Sequence, residues 1–354
     1  MHTKKFSTQE ELSITVVIPV YNVAPYVEHC VLSVMRQSYP AKECIIVDDA
    51  STDDSVDRCQ QLIDEYSGPT IFSILHHENN RGLSAVRNSG MDACTTTYIY
   101  YLDGDDEMTP DCLEKLIKPI INDDNIEMVM GNVKYDYSMM SGNRYRLEAW
   151  LRNKLFYNIK LSSLKLITNN EVRNWYYHGH NLRPNMVWNK LLKLSFLKDN
   201  KLYNREGMLY EEGLWTFYLM RCLNQAVIIP DVTYVYFQRN GSIMSATKYE
   251  ERIRYFGYTF REIAEHIEPG VRIEETLKWL PVFCIYYNDA ANDNSDYHYS
   301  YHAFRRQLLV SHKHLAASYL LLTNKMTKIW GGRIVMKLLT RFIYRIVKLI
   351  RLLF

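Results

Sequence analysis

Two aspartates one residue apart, at the end of an apolar run, are the plainest chemical feature of this sequence. The run "YIYYLDGDDEM", Tyr98 to Met108, places Asp103 and Asp105 around Gly104. Hard carboxylate oxygens spaced in this way can share a divalent cation, and magnesium is seldom caged by protein alone, so phosphate oxygens of a substrate complete its shell. Asp103 and Asp105 are therefore candidate ligands for Mg or Mn, against the plainer reading of a solvated acidic loop. Gly104 is expected to let the backbone turn sharply between them. A calcium-binding EF-hand is excluded, because the sixth loop position is Met108 where glycine is required. Neither of the glycine-rich phosphate-cradling loops, G-x-x-x-x-G-K-[ST] or G-x-G-x-x-G, occurs in the chain.

Other acids come in pairs. Asp48 and Asp49 lie in "VDDASTDD", and Glu211 and Glu212 lie in "LYEEGLW" ahead of a helical pattern. Carboxylates at that last place would also suit a helix dipole with no chemistry at all. His178 and His180, in "YYHGH", have no third ligand nearby and read as a polar wall of an acceptor pocket rather than as a metal site.

Something must hold these residues together. From residue 14 to about 130, "ITVVIPVY", "ECIIVDD", "TIFSIL", "TYIYYLD" and "IEMVMGN" are of strand length and rich in β-branched or aromatic residues. Between them, "PYVEHCVLSVMRQ" puts Val27, Cys30, Val31, Val34 and Met35 on one helical face. "STDDSVDRCQQLIDEY" opens with Ser51 as a helix-capping candidate. Strands alternating with helices imply an α/β fold: a mostly parallel nucleotide-binding sheet covered on both faces, with ligands at the carboxyl ends of the strands. Both aspartate clusters fall at such ends. After about residue 135 the pattern fades into helical, tyrosine-rich sequence.

Composition sets outer limits. A formal net charge of +2 over 354 residues gives no general argument for nucleic acid. Seven scattered cysteines, never in a C-x-x-C pair, read as reduced thiols. The opening residues "MHTKKFSTQEEL" lack the apolar core of a secretion signal, so a cytoplasmic location is expected. The 28 tyrosines are read as half-buried packing rather than as a sugar-stacking surface.

The order of motifs narrows the chemistry. "VVIPVYN", "IIVDDASTD", "NNRGLSAVRNSG", "YLDGDD" and "YEEGLW" follow one another in a series that resembles the family 2 glycosyltransferases, bacterial enzymes of the glycosyltransferase A fold. "VWNKLLK" and "YFQRNGSIM" look like landmarks of the same family, and the resemblance covers roughly residues 14 to 245. It implies that Pro19, Tyr21 and Asn22 border the base and ribose of a nucleotide-sugar donor, a UDP-sugar first. It implies that one of Asp48 and Asp49 reads the base, and that Arg87 sits near the pyrophosphate, which its guanidinium fork suits. Asp103 and Asp105 match the ribose and metal carboxylates, with Asp105 the direct ligand, and Arg239 is placed to reach the leaving diphosphate.

Two departures stand out. Relatives usually carry Glu-Asp where this chain has Glu211 and Glu212, so Glu212 takes the place of the catalytic base, with Glu211 as the alternative. Ala50 replaces a common glycine, and little functional cost is expected from it. The implied reaction is an inverting sugar transfer to a glycan or lipid-linked glycan acceptor, in cell-surface polysaccharide synthesis. Its rivals are a sugar-phosphate nucleotidylyltransferase, which would normally have a glycine-rich loop after its first strand, and a carbohydrate-binding protein without activity.

The expected organisation is a polar tail (1–12), a catalytic domain (13–245, its nucleotide half ending near 130), a helical region (246–323) and a basic amphipathic helix (324–354). In that last segment Arg333, Lys337, Arg341, Arg345 and Lys348 recur every three or four residues among aliphatic ones. Such a stripe suits a helix lying on an anionic membrane surface, here the inner face of the cell membrane, rather than one crossing it.

Overall fold

The computed structural model describes residues 12–139, 164–178, 185–239, 248–266, 296, 299–304 and 306. The chain divides into two compact units, Met1–Ser245 and Ala246–Phe354. The first begins with β1 (Ile14–Val20), α1 (Ala24–Met35), β2 (Glu43–Asp48), α2 (Ser55–Glu65), β3 (Ile71–His76), α3 (Leu83–Ala93) and β4 (Tyr98–Tyr101). It continues with β5 (Glu107–Met108), α4 (Cys112–Ile121), β6 (Met128–Asp136), β7 (Leu164–Leu166), α5 (Asn169–His178), β8 (Lys190–Lys193), α6 (Leu194–Asp199), α7 (Glu212–Cys222) and β9 (Ala226–Phe237).

All nine strands join one sheet in the order β3-β2-β1-β4-β8-β6-β9-β5, with β7 paired to β9. Pairing is parallel from β3 through β2 and β1 to β4. Beyond β4 it is mixed: β8 runs antiparallel to both β4 and β6, while β6 and β9 are parallel. The sheet is thus parallel through its first four strands and mixed beyond them, within the α/β fold that the alternation implies. The region after residue 135 is also richer in strands than expected. β9 hides behind Pro230 and Asp231, where its pairing with β6 shifts register, so its β-branched pattern is interrupted where periodicity is counted.

Every residue of β1 is buried, as a central strand with both faces covered requires. Alternate residues divide between two cores. Val16, Ile18, Tyr98 and Tyr100 pack with Val27, Val31, Leu113 and Ile117 on one face. Val17, Val47, Ile99 and Tyr101 pack with Val86, Met91, Trp215 and Leu219 on the other. The three tyrosines of β4 bury their rings and still satisfy their hydroxyls: Tyr98 donates to the Ile126 carbonyl, Tyr100 to Asn189 Oδ1 and Tyr101 to the Arg87 carbonyl. An apolar-looking strand rich in tyrosine is affordable because each ring ends on an acceptor.

Helix α2 starts at Ser55, and Ser51 does not cap it. Asp53 instead accepts the Ser55 N–H, and Ser51 Oγ accepts the N–H of Asn22. In the second unit, α8 (Tyr249–His266) carries Arg261, which pairs with Glu265 and Asp296. The segment 324–354 lies outside the described residues. No helix among the described residues is long and apolar enough to cross a membrane. The six cysteines described are all free.

Candidate functional site

The site forms where β1, β2 and β4 end together. Val20 pairs with Asp48, and the N–H of Asp49 donates to the Val20 carbonyl. Past these ends the chain is tied by side chains. Asn22 Oδ1 accepts the Thr52 N–H at 2.8 Å, joining the turn after β1 to the turn after β2. Both turns bend through left-handed backbone, at Asn22 (φ 51°) and Ala50 (φ 60°). Tyr21 beside them is 47% exposed.

Asp48 accepts the Ser51 N–H through Oδ1 and meets His76 Nδ1 through Oδ2 at 3.1 Å. Asp49 is more fully engaged. Its Oδ1 takes the Arg81 N–H (2.9 Å) and His77 Nδ1 (2.7 Å), and its Oδ2 takes the Gly82 N–H (2.7 Å), so it fixes the approach to α3. His77 continues to Ser89 Oγ at 2.9 Å.

Gly104 is required for a reason other than the one its sequence suggests. Its φ is not in the left-handed region, but a Cβ there would lie 2.6 Å from the Pro19 carbonyl oxygen. The missing side chain lets the Asp103–Asp105 loop press against the end of β1.

Arg87 governs the other side of the site. It is wholly buried, and its guanidinium binds three carboxylates: Nη1 donates to Glu211 Oε1 (2.9 Å), and Nη2 to Asp103 Oδ1 (2.9 Å) and Glu212 Oε1 (3.3 Å). It is therefore neither a surface helix residue nor an open phosphate-facing arginine, but the brace joining the β4 end to the start of α7. Glu211, the N-cap residue of α7, is sealed at 5% side-chain exposure, whereas Glu212 keeps 22%. Burial raises the carboxyls of both glutamates, Glu212 to about 7, and Arg87 opposes the shift. Asp103 is raised as well, by burial, with Arg87 again opposing.

Asp105 makes a different bond. Its Oδ2 lies 2.6 Å from Arg239 Nε, and the same guanidinium stacks 4.9 Å from the centre of the Tyr26 ring. Asp106, the third acid of the cluster, is buried and structural. It accepts the Phe237 N–H through Oδ1 (2.8 Å) and pairs with the Tyr234 hydroxyl through Oδ2 (2.7 Å). Tyr234 Oη also accepts the Asp103 N–H, and its ring stacks on Trp188 at 4.3 Å. Burial, then the charges of Asp105 and Asp103, push the Asp106 carboxyl well up.

Asp106, Tyr234, Trp188 and Asn189 were not singled out from sequence. The signal available was "VWNKLLK", legible as a landmark but silent on role. Asn189 there is left-handed (φ 59°), accepts the Tyr100 and Thr233 hydroxyls and donates to the Gly131 and Asn132 carbonyls. His178 closes α5, and His180 lies outside the described residues.

A buried acidic cluster at the carboxyl ends of an α/β sheet, beside a left-handed turn pair, lies where such folds bind their ligands. A family description, glycosyl transferase family 2, matches residues 15–181. The chain is 29% identical to the glycosyltransferase GlyG of Streptococcus pneumoniae over 65% of its own length and 72% of that protein's. It is 38% identical to the putative teichuronic acid biosynthesis glycosyltransferase TuaG of Bacillus subtilis, over 30% of this chain and 40% of that one. Its fold is similar to that of S. aureus TarS, solved with UDP-GlcNAc, at a TM-score of 0.62 and 18% identity over 92% of this chain and 90% of the other. Residues 15–181 thus match the family 2 glycosyltransferases, and the fold is of the glycosyltransferase A type.

Proposed function

We propose that this glycosyltransferase moves a sugar, with inversion, from a nucleotide-diphosphate donor to a hydroxyl of a glycan or lipid-linked glycan. The observation that carries the reading is the Arg87 brace. It holds a partly exposed carboxylate, Glu212, in one hydrogen-bonded unit with Asp103, beside the Asp105–Arg239 pair. A base and a set of groups suited to a departing diphosphate thus share one site. Glu212 rather than Glu211 is the base, because Glu211 is sealed by Arg87 and the start of α7 while Glu212 reaches the open side.

In the transfer, the acceptor O–H loses its proton to Glu212 as its oxygen bonds the anomeric carbon. The bond from that carbon to the diphosphate breaks on the opposite face, and the electron pair leaves with the phosphate. Arg239 releases Asp105 to meet that negative charge, while Pro19, Tyr21, Asn22, Asp48 and Asp49 border the base and ribose.

The residues also fit a divalent cation of the Mg or Mn type. Arg87 and Arg239 occupy one oxygen of each aspartate, leaving Asp103 Oδ2 and Asp105 Oδ1 without hydrogen-bond partners among the described residues. No group of three metal-binding side chains occurs there either, so donor phosphates would complete the shell. When bound, the cation supplies charge neutralisation to the leaving group.

The TuaG likeness supports a place in cell-surface polysaccharide synthesis, and the TarS complex supports a UDP-sugar donor. The basic stripe of 324–354 supports docking on the anionic inner membrane face, next to a lipid-linked acceptor.

The test is a panel of nucleotide sugars with manganese, read as release of nucleoside diphosphate, for the wild type and Glu212→Gln. The substitution keeps shape and removes the proton acceptor, so turnover should fall on the order of a hundredfold or more with donor affinity retained. Pyrophosphate release instead would point to nucleotidyl transfer. Full turnover by Glu212→Gln would remove Glu212 as the base.

A further inference from the structure

The residues that carry the two candidate metal ligands form a closed turn. Its first and last members, Asp103 and Asp106, are joined by a hydrogen bond from the Asp106 N–H to the Asp103 carbonyl at 3.0 Å. One hydroxyl spans the same two residues from outside the turn. Tyr234 Oη, on β9, accepts the Asp103 N–H at 3.3 Å and donates to Asp106 Oδ2 at 2.7 Å. Among the described residues the Asp103 N–H has no other acceptor.

The ring that holds this hydroxyl has little room to move. Tyr234 is 0% exposed, lies against the Trp188 indole at 4.3 Å and 14°, and is paired in register with Met108 of β5. On its other side the turn meets the end of β1, where even a Cβ on Gly104 would crowd the Pro19 carbonyl. Asp103 and Asp105 are thus carried on a turn gripped between β1 and β9. A phenylalanine at 234 would fill the same space and stack on the same indole. A buried hydroxyl is costly unless it is bonded, so what the tyrosine adds is the bridge. The same strand end supplies the Phe237 N–H to Asp106 Oδ1 and leads to Arg239, which binds Asp105. Each of the three acids of the turn is therefore met from β9 or from the residues just after it.

We propose that Tyr234 is a positioning residue for the transfer: its hydroxyl sets the Asp103–Asp106 turn, and so holds Asp103 and Asp105 ready for the donor's diphosphate and its cation. The inference rests on the assignment of those two aspartates to the cation. Loss of an outer partner that orients metal ligands typically costs about 10–100-fold in metal affinity or activity.

The test compares wild type, Tyr234→Phe and Asp105→Ala. Manganese binding is read by electron paramagnetic resonance, in the presence of the nucleoside diphosphate that the nucleotide-sugar panel releases, and stability is read by urea denaturation. Tyr234→Phe should weaken manganese binding about tenfold and lower kcat by a similar factor, with the donor KM kept. A hydroxyl with a structural role only would lower the urea midpoint and leave manganese affinity at the wild-type value, and that result overturns the proposal. If Asp105→Ala binds manganese as tightly as wild type, the cation assignment fails. Tyr234 is then judged on turnover, and a wild-type kcat in Tyr234→Phe overturns the proposal as well.

Should Tyr234→Phe fail to fold, Asp106 gives the second arm. Asp106→Ala removes the partner of the hydroxyl, whereas Asp106→Asn keeps a polar group against it, the amide N–H donating to Tyr234 Oη. Manganese affinity should fall in Asp106→Ala and be restored in Asp106→Asn. Equal affinities in these two variants overturn the proposal, because the bridge is absent from one and present in the other.

Discussion

The two acidic clusters look alike in sequence and are built on opposite principles. At the end of β2, Asp48 and Asp49 spend their oxygens on backbone N–H groups of Ser51, Arg81 and Gly82 and on two histidines. At the end of β4, Asp103 and Asp105, with Glu211 and Glu212, spend theirs on arginine. Backbone amides cannot leave, so the first cluster is a fixed frame for two strand ends. Guanidinium groups can exchange one anion for another, so in the proposed transfer the partly exposed Asp105–Arg239 pair would be the one to trade partners, with buried Arg87 staying in place as a brace. Charge held by the main chain gives shape; charge held by side chains gives chemistry.

The sharpest way to break the contrast is Arg87→Met. It leaves Asp103, Glu211 and Glu212 buried around an apolar side chain, and removing one member of a buried charge network typically costs about 3–5 kcal/mol. The sign with pH is fixed by linkage. These carboxyls are already raised in the folded state, and losing Arg87 raises them further above their unfolded values. A group with a raised folded pKa contributes fully below its unfolded pKa and loses that contribution as pH rises through the folded one. Urea denaturation of the variant should therefore show its smallest deficit near pH 5 and its largest above pH 7, the range into which Glu212 is shifted. A deficit independent of pH would mean that Arg87 acts by packing alone.

Asp106 sharpens the contrast from within, since it sits in the second cluster and behaves like the first. Its Oδ1 accepts a backbone N–H, from Phe237, and its carboxyl is pushed well up by burial and by its acidic neighbours. Such a neutral carboxyl resembles an amide. Asp106→Asn should change unfolding free energy by less than about 1 kcal/mol, while Asp106→Ala orphans the Phe237 N–H and should cost about 1–3 kcal/mol. Equal losses in the two variants would show that the negative charge of Asp106 matters, and would move it into the arginine-paired class.

How far the sequence could be read follows the same division. Strands β1 to β4 and β6 were legible because each is a short apolar run between turn residues, and the acids at their ends stood out as candidate site residues. Strand β9 was not, because Pro230 and the register shift opposite Asn132 break its two-residue period, and β7 and β8, of three and four residues, are too short to show one. The acids could be picked out but not assigned partners. Nothing in "SAVRNSG" says that Arg87 turns inward to three carboxylates contributed from residues 16 to 125 positions away. Likewise, a lysine inside a run such as "VWNKLLK" gives no sign that it is buried; that follows from the left-handed Asn189, which only three-dimensional contacts reveal.

Ala50 provides the smallest test, and it lies in the frame of the first cluster. The turn after β2 holds residue 50 at φ 60°, a left-handed conformation in which Cβ crowds the following carbonyl. Alanine pays roughly 1–2 kcal/mol for it. Glycine at the same place avoids the clash but loses more chain entropy on folding, about 0.4–1 kcal/mol. The difference favours glycine, so Ala50→Gly should stabilise the protein by about 0.5–1 kcal/mol in urea denaturation. The neighbouring residues make the turn hard to relax: Asp48 holds the Ser51 N–H, and Asn22 holds the Thr52 N–H. If the frame is as fixed as its backbone bonds imply, that gain comes with donor affinity unchanged, because the same turn is formed in both proteins. A stabilised variant with weaker donor binding would show instead that the alanine methyl touches the nucleotide, and that the frame takes part in recognition as well as in shape.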